Sequence, residues 1–307
     1  MLKAVFSLKN TRKQAIYFIA SCLLAAATGW AQAGIRVQDD RGITHEWAVP
    51  PARIVTLLPS LSETVCALGQ CQRLVGVDRY ANYPDSVKAL PKVGGGMDPS
   101  IEAVVALKPD VVLMSTTTKA AARLEALGIK VIALNTQQHA DVQRLIAVTA
   151  RLLGLEAQGT DAQPSGPVSQ RLWQELQAGV KAAANGLPAK SQVYFEVNSA
   201  PYAASASSFI GETLTQLGVH NVVPGQLGSF PKINPEMVVR ADPDVIILSE
   251  TNLVQLQQRP GWAQLRAVRE NKVCAFTAAQ SDVLVRPGPR LAEAARLMAQ
   301  CLKDKLA

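Results

Sequence analysis

The 307-residue chain predicts an α/β protein of two similar lobes with parallel-rich sheets, joined by a long connecting helix. Three observations carry that prediction. One segment repeats near positions 100 and 234, the strand and helix signals around the two copies match, and a helix-forming stretch separates them.

The chain opens on an export address. Lys3, Lys9, Arg12 and Lys13 make a basic start, Ala15 to Thr28 is almost wholly apolar, and Ala31-Gln32-Ala33 is the small-x-small pattern that a signal peptidase reads. A cleavable signal peptide over 1–33 is expected, because an apolar run this short falls below the ~20 residues of a spanning helix. Ile19-Ala20-Ser21-Cys22 resembles a lipoprotein cleavage box, so a lipid anchor at Cys22 is the minority alternative. The expected location is the periplasm. Losing those four basic residues and no acidic one lowers the formal charge from +7 to +3, too mild to argue for nucleic acid.

The remaining length suits two domains of ordinary size, read as an N-terminal α/β lobe over 34–156, a connecting helix over 157–188 and a C-terminal α/β lobe over 189–307. Arg53 to Leu58 reads as a strand, Ser60 to Glu63 as a capping box, and Gly69 as the stop of the helix it opens. Ser100-Ile101-Glu102-Ala103-Val104-Val105-Ala106-Leu107-Lys108-Pro109-Asp110-Val111-Val112-Leu113 is echoed by Asn234-Pro235-Glu236-Met237-Val238-Val239-Arg240-Ala241-Asp242-Pro243-Asp244-Val245-Ile246-Ile247. Each copy has a capping residue, a helix with glutamate in its first turn, a proline stop and a β-branched run of the kind found in buried parallel strands. Gln192 to Val197, Phe209 to Leu217 and Gly218 repeat the strand, helix and stop of the first half. Between the halves, Ala140 to Leu153 and Val168 to Ala184 are helical in composition, with Leu172, Leu176, Val180 and Ala183 on one face.

Cys66 and Cys71 are close enough in sequence to form a disulfide in an oxidising compartment, whereas Cys274, in the apolar run Val273 to Phe276, reads as a small buried hydrophobe. No Cys/His spacing suggests a metal site, and no catalytic constellation is present. His45, His139 and His220 read as polar loop or edge residues, outside any nucleophile elbow or metal pair, and Gly94-Gly95-Gly96 reads as a flexible turn lacking phosphate-loop spacing. An α/β enzyme is therefore the weaker class.

Arg53 to Ser60, the Val75 to Tyr80 segment with Tyr83-Pro84, and both Pro-Asp-apolar copies resemble the cobalamin- and ferric-siderophore-binding components of ABC importers, over essentially the whole chain beyond the leader. The resemblance implies two lobes bridged by one helix, a ligand held in the cleft between them, no cofactor of the protein's own, a monomeric state, and permease subunits of the inner membrane as partners. The cobalamin binders are most alike. By that likeness Tyr80, Tyr202 and Phe230 line the cleft, Asp282 and Arg286 face the ligand, and Glu102 and Glu236 pair with arginines on the two permease subunits. Without the resemblance, Tyr80 is a loop aromatic, Tyr202 and Phe230 are satellite core residues, Arg286 is a solvated charge, and the two glutamates merely complement helix dipoles. Three departures stand out. Ser115 occupies the place of a tryptophan, Leu217 replaces a cysteine that would pair near Cys301, so that disulfide is expected to be absent, and Pro164 to Pro167 interrupt the connector. Haem, with Tyr80 as axial ligand, and a ferric siderophore, with Arg79 and Arg286 toward its charge, are the alternative ligands, while so few histidines argue against a bare metal ion.

Overall fold

The computed structural model describes residues 34–156, 166–187, 190–199 and 201–306. The expected leader over 1–33, Cys22 and Pro164 lie outside the described residues. The first half runs β1 (Ile35–Gln38), β2 (Thr44–Trp47), β3 (Ile54–Thr56), α1 (Pro59–Ala67), β4 (Leu74–Val77), α2 (Ile101–Ala106), β5 (Val111–Ser115), α3 (Ala121–Ala126), β6 (Val131–Leu134) and α4 (His139–Leu152). After α5 (Pro167–Ala183) come β7 (Gln192–Asn198), β8 (Tyr202–Ala203), α6 (Phe209–Gln216), β9 (His220–Asn221), α7 (Pro235–Ala241), β10 (Val245–Ser249), α8 (Glu250–Leu256), α9 (Arg266–Arg269), β11 (Val273–Phe276), α10 (Ala278–Val285) and α11 (Leu291–Leu306).

Each half owns one sheet. The first has four parallel strands in the order β4-β3-β5-β6, and the second runs β11-β10-β7-β8 with β9 beside β7, all parallel except β8. Val111 to Met114, Val131 to Leu134 and Val245 to Leu248 are buried throughout, which is why they read as continuous apolar runs instead of alternating ones. A separate antiparallel hairpin, β1 with β2, packs against α4.

The repeated Pro-Asp pair proves to be a register device. Asp110 accepts hydrogen bonds from the backbone N–H groups of Ala52 and Arg53 at 2.8 Å, and its own N–H donates to the Arg53 carbonyl. Asp244 does the same to Gln192, taking its N–H at 2.8 Å and returning one to its carbonyl. Each aspartate thus ties the start of its strand to the start of the neighbour, fixing Ile54 opposite Val111 and Val193 opposite Val245. The residues before the prolines, Lys108 and Asp242, both sit in the left-handed region at φ 46° and 39°, each as the residue that turns the chain out of its helix. Gly69 and Gly218 end α1 and α6 with positive φ, as their places in the sequence predict.

The connecting helix is shorter than the expected 157–188. It begins at Pro167, whose missing N–H costs nothing in a first helical turn, and runs 17 residues, about 25 Å. Leu176, Val180 and Ala183 are buried as the spacing predicts. Gly179 has a reason of its own, because a Cβ there would lie 2.5 Å from that of Ala292, so α11 packs directly on α5.

Among the described residues two disulfides are formed. Cys66 and Cys71 are bonded, in line with the expectation. Cys274 corrects it. The residue is buried, but it is joined to Cys301 and so fastens β11 to α11 across a sequence separation of 27, a closure that removes on the order of 3 kcal/mol of unfolded-chain entropy. Cys301 needs no cysteine at position 217 to find a partner.

Candidate functional site

Parallel sheets offer a crevice at the carboxyl ends of their strands, and the first sheet has one. The end of β4 delivers Asp78 and Tyr80, the end of β5 delivers Ser115, Thr117 and Thr118, and Pro59 of α1 and the loop through Met97 and Asp98 close a cavity of about 340 Å³. Tyr80 is 65% exposed and Met97 is 78% exposed at its edge. Asp78 is buried, and it receives the Tyr80 N–H at 2.7 Å, so the carboxylate fixes the backbone that presents the tyrosine. Burial pushes the Asp78 carboxyl above its ordinary pKa, offset by the N–H groups of Tyr80 and Gly96 and by Arg79 and Arg286.

The glycine run is not the flexible turn that its composition suggests. A Cβ at Gly95 would lie 2.8 Å from Asp98 Oδ1, and one at Gly96 would lie 2.8 Å from the Leu57 carbonyl, so the loop is pressed against the crevice wall.

The expected site residues fall into two groups. Tyr80, Asp282 and Arg286 meet directly. The Arg286 guanidinium donates to Glu63 Oε1 at 2.8 Å, to Asn82 Oδ1 at 2.7 Å and to the Tyr80 carbonyl at 3.1 Å, and pairs with Asp282 at 2.8 Å. Asp282 also accepts from Asn82 Nδ2 at 2.8 Å. Arg286 is therefore no solvated charge. Its side chain is 7% exposed and Glu63 is 1% exposed, and both are spent on a bridge between α1 and the segment after α10. Burial raises the Glu63 carboxyl, with Arg286 and then Arg290 drawing it back.

Tyr202 and Phe230 form the other group, on backbone segments that pair through Ala203 and Pro231 and through Tyr202 and Lys232. Tyr202 is half exposed; Phe230 is half-buried, edge-on to Phe209 with ring centroids 5.7 Å apart. Glu102 and Glu236 stand exposed in the first turns of α2 and α7, behind the caps Ser100 and Asn234, and neither joins an ion pair among the described residues. His139 also departs from its reading as a loop or edge residue. It is buried, with Nε2 2.9 Å from Thr213 Oγ1, and its desolvation holds its pKa below the ordinary value.

Sequence reasoning passed over Asp78, Met97, Thr117 and Glu63. One signal was available. The repeat extends two residues past its strand, as Ser115-x-Thr117 and Ser249-x-Thr251, and in both copies the hydroxyls bond each other, at 2.9 and 3.0 Å.

Residues 54–279 match the family described as periplasmic binding protein. The chain belongs to that family. An uncharacterised ABC transporter substrate-binding lipoprotein of Bacillus subtilis is 30% identical over 261 residues, covering 82% of this chain and 80% of the relative. A cobalamin-binding protein of Halobacterium salinarum is 31% identical over 210 residues, 64% of this chain and 53% of that protein, so the match spans about half of that relative. Among solved structures, a periplasmic haem-binding protein in complex with two haems superposes with a TM-score of 0.68 at 26% identity, covering 83% of this chain and 99% of the other. The periplasmic vitamin B12-binding protein of Vibrio cholerae superposes with a TM-score of 0.66 at 21% identity, with 84% and 99% covered, which shows the shared fold. Periplasmic binding proteins of this two-lobed class are solute binders.

The Arg286 bridge makes a mutational expectation. Arg286→Met leaves the Glu63 carboxylate with only the longer 3.9 Å contact to Arg290 and should lower unfolding stability at neutral pH by roughly 3 kcal/mol. The Glu63 pKa then rises further in the folded state, so the folded chain binds more protons than the unfolded one, and the deficit should shrink as pH falls. Urea unfolding at pH 7.5 and pH 5 checks both. A variant as stable as wild type at pH 7.5, or a deficit that grows on acidification, contradicts the assignment.

Proposed function

We propose that the chain is the substrate-binding component of an ABC importer and that its ligand is a corrinoid. The observation that carries the ligand class is the charge of the crevice. The cavity beside Tyr80 is lined by hydroxyls, glycines, apolar groups and the acids Asp78 and Asp98, with no lysine or arginine among its lining residues. The nearest arginines are engaged, Arg79 with Asp98 and Arg286 with Glu63 and Asp282. A ligand with carboxylates, such as haem or many ferric siderophores, would gain most from free cations. A large, flat molecule fringed by neutral amides gains from an exposed aromatic face and from Ser115, Thr117 and Thr118, which can donate and accept. Tyr202 and Phe230 supply the opposite aromatic wall, and Arg286 positions Tyr80 through its carbonyl while Asp282 holds Arg286. The cobalamin- and vitamin B12-binding relatives support this reading. Haem is the second reading, favoured by the exposed Tyr80 phenol as an axial ligand and by the haem-binding structural relative.

Export to the periplasm and delivery to membrane permease subunits complete the proposal. Glu102 and Glu236 hold equivalent places in the two copies of the repeat, both exposed and outside any ion pair among the described residues, as paired docking charges would be. Such charges set orientation and encounter rate more than bulk affinity.

Isothermal titration of the purified protein with cyanocobalamin, cobinamide, haemin and a panel of ferric siderophores should give one-to-one submicromolar binding for the corrinoids. Saturation by haemin or a siderophore with no corrinoid heat overturns the ligand assignment. In the same titration Tyr80→Ala should weaken corrinoid binding several-fold, about 1 kcal/mol, with an unchanged melting curve; an unchanged dissociation constant removes Tyr80 from the site. Glu102→Arg combined with Glu236→Arg should leave ligand binding and melting intact and abolish uptake in vesicles reconstituted with the permease. Normal uptake reduces both residues to helix-dipole partners.

A further inference from the structure

The two halves of the chain meet where α4 and α6 begin. The Phe209 N–H donates to the Gln137 carbonyl at 2.7 Å and the His139 N–H donates to Glu212 Oε2 at 2.6 Å, so the start of each helix is held by the other half. Between these bonds sits the His139 ring, its side chain 10% exposed, with Trp173 of α5 edge-on to it at 6.0 Å between centroids. One imidazole on α4 thus touches both α5 and α6, and it lines no part of the crevice beside Tyr80.

The hydrogen bonds fix which nitrogen of the ring carries the hydrogen. The Thr213 hydroxyl donates to the Phe209 carbonyl at 2.7 Å, so toward His139 Nε2, 2.9 Å away, it is the acceptor and Nε2 is the donor. Nδ1 is then a bare lone pair, and it faces an amide donor, Gln216 Nε2 at 3.3 Å. That same Nε2 also donates to Gln177 Oε1 of α5 at 3.3 Å, while Gln177 Nε2 is buried without a partner. A chain of His139, Gln216 and Gln177 therefore crosses from α4 through α6 to α5. The charge within reach of the ring is Glu212 of α6, its Oε2 3.9 Å from Nδ1. On α4, Asp141 is taken by the N–H groups of Gln137 and Gln138 and by Arg144. On α5, Lys181 borders a hollow of about 360 Å³ that also meets Gln177 and Gln216.

We propose that His139 is a pH-sensitive switch on the joint between the two halves: neutral, it knits α4, α5 and α6 together, and protonated at Nδ1 it releases Gln216 and loosens the joint. A proton on Nδ1 sets a donor against a donor, so Gln216 must turn its oxygen to the ring, and its N–H turns away from Gln177. The imidazolium then stands in a buried place with Glu212 as counter-charge, at a separation too long for a hydrogen bond. Burial holds the His139 pKa below its ordinary value, with Glu212 drawing it back. The unfolded chain therefore takes up the proton first. The joint's contribution to stability is present above the ordinary histidine pKa of ~6.5 and is lost as the pH falls through the depressed folded value. The switch acts on how the halves are held and leaves the corrinoid reading independent.

Heteronuclear NMR of the histidine side chains tests this directly, since the chain has only three, His45, His139 and His220. At pH 7.5 the His139 ring should carry its hydrogen on Nε2, and on acidification to pH 5 it should titrate at Nδ1 below the ordinary histidine value, with the Gln216 side-chain amide moving at the same midpoint. Hydrogen exchange, corrected for the intrinsic effect of pH, should show the amides of residue 139 and Phe209 losing protection several-fold over that range while those of β5 and β10 hold. His139→Gln, which keeps a neutral amide in the ring's place, should show no such loss. A hydrogen on Nδ1 at pH 7.5, a ring that stays neutral down to pH 5, or unchanged protection at Phe209 overturns the proposal on the wild-type chain alone. An equal loss of protection in His139→Gln also overturns it.

Discussion

Arg286 reaches back from the second half of the chain to Glu63, Asn82 and the Tyr80 carbonyl in the first, with Asp282 closing the ring. That guanidinium ties α1, the Tyr80 segment and the end of α10 to one another. A buried ion pair contributes little net stability against a well-packed apolar substitute, because desolvating both charges offsets their attraction. Its effect here is geometric. A planar fork with several fixed donors accepts only one arrangement of α1, the Tyr80 segment and α10, and an apolar contact would tolerate many. A second link reinforces the first, where His139 and Gln137 at the start of α4 meet Glu212 and Phe209 of α6 through backbone hydrogen bonds. Together with α5 these contacts join the two halves of the chain.

Within each half the same economy recurs. One aspartate after a proline aligns two strands, and the strand it opens ends in a Ser-x-Thr hydroxyl pair. Register fixed at one end of a parallel pair fixes which residues emerge at the other, 3.3 Å per residue away. Asp110 thus bears on where Ser115 stands, and the motif that identifies the repeat also shapes the crevice rim.

Beside Tyr80 the neighbouring arginines are occupied by carboxylates, Arg79 by Asp98 and Arg286 by Glu63 and Asp282. A buried or half-buried guanidinium is retained where an acceptor satisfies it, and here the protein supplies that acceptor.

The sequence by itself determined the secondary structure, the repeat and the family. Proline stops, Gly69 and Gly218, the caps Ser100 and Asn234 and the β-branched runs act through local sterics and hydrogen bonds that reach only a few residues along the chain, whereas the expected Ser60–Glu63 capping box does not form, because α1 starts at Pro59 and Glu63 is taken by Arg286. The Cys66 to Cys71 bond was open in the sequence, since five residues of separation permit a bridge without requiring one, and the packing at the end of α1 decided it. Tertiary structure decided the rest. Cys274 looked like an apolar core residue until β11 and α11 brought it to Cys301, and Arg286, expected by resemblance to face a ligand, is buried against Glu63, 223 positions away. Gly94 to Gly96 read as slack because the Leu57 carbonyl and the Asp98 side chain that press on them come from packing. Burial and partnership depend on which distant segments share a space, and that is set by the summed packing of both sheets, which no local pattern encodes.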